Sequence, residues 1–172
     1  MEYGALIFVH VLAGVLWASG AFFFGFFVLP AAVEAGPAGG AVIGGLMKRK
    51  FPIWMTGLAT LAVFSGLRLW VMAFMSKGGV AWLQRPEGIV LTLAGLGALH
   101  AYVVGLAVQR PTAMKLGALG AQLAQAQGKP DAALLEQFKA TQVKLSKVAR
   151  KTGAELLGVM ALMALRYLLL QI

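Results

Sequence analysis

Four stretches of the chain, 6–33, 51–75, 88–108 and 154–170, are apolar around their whole circumference rather than along one face. About 20 residues of helix cross a hydrocarbon core of about 30 Å, so each run is long enough to span a membrane. Between the third and fourth runs the pattern changes. Leu116, Leu119 and Leu123, then Leu134, Phe138, Leu145 and Val148, recur at helical spacing among polar positions, the signature of helices with one buried side. Gly128, Lys129, Pro130 and Asp131 separate these two segments, with Asp131 placed as an N-cap. The pattern predicts an all-α fold: an integral membrane four-helix bundle forming a single domain over 1–172, with spanning helices at about 5–33, 51–75, 88–109 and 153–171. A cytoplasmic helical hairpin at about 110–151 extends the third and fourth helices, with a kink expected at Pro111.

Composition agrees: 60% of residues are hydrophobic and 12% charged, against about 25% charged in soluble domains. The net charge of +9 does not point to nucleic acid, because the basic residues sit between the apolar runs. Lys48, Arg49 and Lys50 follow the first run, and Arg110, Lys115, Lys129, Lys139, Lys144, Lys147, Arg150 and Lys151 separate the third from the fourth. The second connection has only Lys77 and Arg85. By the positive-inside rule the two basic segments are cytoplasmic and both termini lie outside, with Trp70, Trp82 and Tyr167 in an outer aromatic belt. The first run lacks a basic leader and is expected to be retained, which suits a bacterial inner membrane. With no cysteine, disulfides, thiolate metal sites and thiol catalysis are excluded. The glycines between Gly36 and Gly45 lack the Lys-Ser/Thr pair of a phosphate loop and read as a flexible or close-packed connection.

Ionisable side chains are costly in hydrocarbon and are candidates for function there. His10, Arg68, His100 and Arg166 fall within the four apolar runs, one in each, while Glu155 lies near the basic end of the last. His10 shares a helical face with Ala13, Gly14 and Trp17, and each of the other three also has small or apolar neighbours. Such a set can surround a pocket inside a bundle. A b-type heme with His10 as axial ligand, His100 as second ligand or relay, and Arg68 with Arg166 on its carboxylates is the sharp expectation. Counting from the helix ends puts His100 roughly 10 Å deeper than His10, which a bis-histidine heme does not favour. The plain alternative pairs the histidines across helices and lets both arginines reach the interface. Met72, Met75, Met160 and Met163 add a copper alternative. The hairpin offers a surface for a redox or other cytoplasmic protein partner, and self-association is open. Nucleophilic triads and zinc spacings are absent.

The segment His10 to Gly20, with Trp17 seven residues after His10 and Phe27, Val28, Leu29 and Pro30 closing the helix, resembles the first helix of CopD-like membrane proteins and HemJ-type protoporphyrinogen oxidases. Ser65, Gly66 and Leu67, then Ala98, Leu99 and His100, and finally Met163 to Tyr167 extend the similarity. The resemblance implies a four-helix core with His10 and Trp17 in a heme or metal pocket and His100 near it. It also implies a redox or porphyrin-handling role, or copper uptake by a permease. HemJ-type proteins carry a lysine early in the third helix, where this chain has Ile89, Val90, Leu91 and Thr92, so the oxidase reaction is not carried over.

Overall fold

The computed structural model describes residues 2–126 and 131–169, and the regular structure among them is entirely helical. Helix α1 (Glu2–Phe23), a π-helical turn (Phe24–Val28) and α2 (Leu29–Glu34) form one continuous path. After a break at Gly36, α3 (Pro37–Lys48) turns back, and Lys50 in the left-handed region leads into α4 (Phe51–Ser76). A short α5 (Val80–Leu83) precedes α6 (Pro86–Val104), which runs through a second π turn (Gly105–Gln109) into α7 (Arg110–Gln125). The chain ends in α8 (Ala132–Leu169), 38 residues and about 57 Å long at 1.5 Å per residue.

Three paths among the described residues, Glu2–Glu34, Phe51–Ser76 and Pro86–Gln125, are long and apolar enough to cross a membrane. The fourth expected run is the C-terminal part of α8, and its end at Leu170 lies outside the described residues. Helix α1 lies against α4 and α8, and α6 against the same two helices. Helix α7 packs back along α8, so the expected hairpin forms. Asp131 caps it: its carboxylate accepts the Ala133 N–H at 3.1 Å. Gly128, Lys129 and Pro130 of the turn lie outside the described residues.

Both π turns end two residues before a proline, Pro30 and Pro111. A proline within a helix has no N–H to donate, and its ring collides with the carbonyl four residues back. Widening the preceding turn relieves that collision. The third helix therefore passes Pro111 and continues to Gln125.

The glycine-rich segment is a helix rather than a loop. Gly36, at φ +59°, makes the reversal, and Gly39 sits directly on the backbone of Ala32 with no room for a Cβ. Close packing of α3 on α2 thus uses glycine where the backbones touch. At the opposite end α5 tucks Trp82 fully inside, edge-on to Trp70, whose indole N–H donates to the Thr92 hydroxyl at 3.0 Å. Trp82 is therefore an internal plug, not part of an outward-facing belt, while the Tyr167 side chain lies outside the described residues.

Two cores result. One, between α1, α4, α6 and α8, is built largely of alanine: Ala13, Ala18, Ala21, Ala59, Ala62 and Ala101, with Trp17 and Leu156. The other lies at the basic end between the first π turn, α2, α3, α7 and α8, and holds Phe24, Leu29, Ile43, Leu116, Leu119, Phe138 and Leu145.

Candidate functional site

His10 lies on the inward side of α1 among Ala13, Trp17 and Ala21, and faces α4. Its Nδ1–H donates to the Ala62 carbonyl at 2.9 Å. A carbonyl only accepts, so this nitrogen carries a proton, and in the neutral tautomer the ring's lone pair is on Nε2. Gly66 makes the fit: a Cβ there would lie 2.6 Å from His10 Cε1. One turn along α1, a Cβ on Gly14 would meet nothing within 4 Å. The small residues expected around His10 therefore hold the ring on one side and leave space beside it.

His100 is placed differently. Thr60 meets Tyr102 hydroxyl to hydroxyl at 3.0 Å, and Trp70 bonds Thr92, an antiparallel register that puts His100 at the level of Ala62. The two histidines thus share nearly one depth, near the middle of α4, rather than standing 10 Å apart. Counting from helix ends missed this because the ends of α1 and α6 are not level. Depth does not bring them together, however. His100 occupies the outer seam between α6 and α8, with 65% of its side chain exposed, and its Nδ1 lies 2.7 Å from Glu155 Oε1. The carboxylate, ordinary by its sequence position, is the histidine's direct partner.

The arginines also go to separate places. Arg68 donates to Glu2 at 3.1 Å, and both side chains are more than half exposed. Arg166 Nε lies 3.6 Å from Glu87, whose two oxygens each accept from Lys77 Nζ at 2.8 Å. Glu87, only 13% exposed, is therefore the centre of a cationic cluster at the end of the bundle opposite the basic hairpin. Neither it nor Lys77 stood out in the sequence, because both flank an apolar run and carry no motif.

Trp17 is 7% exposed and borders a cavity of ≈ 70 Å³ in the half of the bundle nearer the basic end. Met55, Tyr102, Arg110 and Thr152 also line it, and each π turn supplies part of its wall, Phe24 from the first and Gly105, Leu106 and Gln109 from the second. π turns recur at functional sites. One water needs about 10–15 Å³ of such space, so the cavity holds several waters or a small solute. Threonine and tyrosine inside apolar runs were the available sequence signal for this cavity.

The five predicted residues are thus distributed rather than gathered. His10 and Trp17 share the inward face of α1, His100 faces outward with Glu155, and Arg68 and Arg166 sit in two different ion pairs. Among the described residues no group of three His, Cys, Asp or Glu side chains is arranged to hold a metal ion. No family model, curated protein or solved structure matches the chain.

Proposed function

We propose that this is an integral membrane protein of four spanning helices, α1, α4, α6 and the second half of α8, that binds heme b through His10 in a redox or porphyrin-handling role. The ring of contacts joining those four helices supports the bundle. The basic hairpin supports a cytoplasmic placement of that end and outside termini, in a bacterial inner membrane. The observation that carries the cofactor reading is the Nδ1–H bond from His10 to the Ala62 carbonyl. Ligating histidines are characteristically held this way, with one nitrogen anchored and the other presented. The resemblance of the His10 to Gly20 segment to CopD-like and HemJ-type first helices points in the same direction. Heme bound there would supply one-electron chemistry.

The fit is to one histidine, not two, since His100 is engaged in another seam. Arg68 remains suited to a heme carboxylate: an exposed pair such as Arg68 with Glu2 is worth about 0–1 kcal/mol, so a ligand carboxylate displaces Glu2 at little cost. Titrating purified protein with hemin tests the reading. A shifted, saturable Soret band is expected for wild type and for His100→Ala, and its loss for His10→Ala. A band unchanged by His10→Ala would sink the assignment.

The cavity beside Trp17 favours a second reading, a permease-like site for a small solute, with copper as the metal alternative. Metal analysis and proteoliposome uptake address it. Uptake abolished by Arg110→Ala in protein without a Soret band would favour this reading, and colourless, metal-free, inert protein would favour a structural subunit.

A further inference from the structure

The least expected feature of the spanning region is the His100–Glu155 pair. It lies in the middle of the bundle's length, yet 65% of the imidazole and 29% of the carboxylate are exposed. On the α6 side the surrounding surface is apolar: Leu96, Leu99 and Val103 are all exposed. Acyl chains offer this pair no hydrogen bond, and polar groups at that depth characteristically face protein or a water-filled path.

We infer that a second copy of this chain docks on the α6/α8 face, the His100–Glu155 pair of one copy meeting that of the other across a two-fold axis along the membrane normal. The inference rests on reading the second half of α8 as a spanning helix. Charge complementarity selects the occupant. Within one copy Nδ1 is spent on Oε1, which leaves Nε2 and Oε2 unmatched among the described residues. Histidine and glutamate sit at one depth, and rotation about the membrane normal preserves depth. With Nδ1 and Nε2 both carrying protons, each Nε2–H faces the other copy's second carboxylate oxygen, and the two pairs close into a ring of four charge-assisted bonds. The backbone permits the approach: Ala154, Gly158 and Ala161 are exposed on α8, and a Cβ at Gly158 would meet nothing within 4 Å. Small residues are what spanning helices use to associate closely.

The chain has no cysteine, so single introduced thiols report proximity without background. Leu99→Cys lies on the proposed face, and Leu16→Cys, equally exposed, lies on α1. Oxidation in native membranes is expected to convert Leu99→Cys into a covalent dimer and to leave Leu16→Cys monomeric. Adding Glu155→Ala to Leu99→Cys is expected to lower the cross-linking rate at least tenfold, with little further change on adding His100→Ala. Leu99→Cys leaves the polar pair intact, so its result stands whether or not Glu155→Ala inserts. Failure of Leu99→Cys to cross-link, equal yields at both positions, a rate indifferent to Glu155→Ala, or a product of any mass other than two chains would each overturn the proposal. None of these results depends on heme, whose absence would overturn only the cofactor reading.

Discussion

The two cores of this protein are built from different residues, as the proposed passage of the bundle from water into lipid requires. At the basic end the core is mostly large side chains, Phe24, Leu29, Ile43, Leu116, Leu119, Phe138 and Leu145, beside Ala32, Ala113 and Ala149, and removing such side chains from water drives packing. In the spanning half the buried residues are mostly alanines, and the large apolar side chains, Phe8, Leu61, Phe64 and Leu96 among them, point outward. Lipid is as apolar as leucine, so turning leucine inward gains nothing, and helices associate by close approach of small residues instead. One continuous helix, α8, passes through both regimes. It supplies Phe138, Leu145 and Ala149 to the first core and Leu156 to the second.

The sharpest way to break this contrast is to truncate a large residue at the basic end. Leu145 is fully buried, and Leu145→Ala is expected to destabilise that end by about 2–5 kcal/mol, read as faster amide exchange in α7 and the first half of α8. Next is the junction between the cores. A Cβ on Gly25 would lie 2.6 Å from the Ala149 carbonyl oxygen, where neither backbone can yield freely. Gly25→Ala should cost about 1–3 kcal/mol, visible as a lowered Tm in detergent.

Inside the alanine core, Gly66→Ala would push a methyl into the His10 ring. It is expected to weaken hemin binding about tenfold to a hundredfold, the usual effect of disturbing a ligand's support. An unchanged hemin affinity would show that the Ala62 anchor does not matter. Smallest of all, Arg68→Ala removes only an exposed pair and should change stability by about 0–1 kcal/mol. Any larger loss in thermal unfolding would mean that Arg68 has a structural role beyond that pair.

The helical class, the apolar runs and the hairpin were legible because each rests on local spacing. So was the Asp131 cap, a matter of one residue and the backbone two residues on. What escaped was set by contacts between distant segments. Spacing put His10 and His100 each on some face of a helix, but not in which seam, since that depends on how α1, α4, α6 and α8 are arranged around one another. Glu155 became the partner of His100 only through the α6/α8 register, and Trp82 became a plug only because α5 folds it under Trp70. The Gly36 to Gly45 segment misled in a different way. Glycine's poor helix propensity is overridden where α3 must lie on the backbone of α2, and only glycine permits that approach.

The contrast between the two cores rests on a change of solvent along the length of the bundle. Nitroxides attached one at a time to single cysteines at Leu61, Leu96, Met114 and Val143, all exposed positions, report it directly. In lipid bilayers the account predicts that labels at 61 and 96 are relaxed by oxygen and sheltered from a water-soluble nickel complex, while labels at 114 and 143 behave the opposite way. Equal access of the nickel complex at all four positions would contradict it.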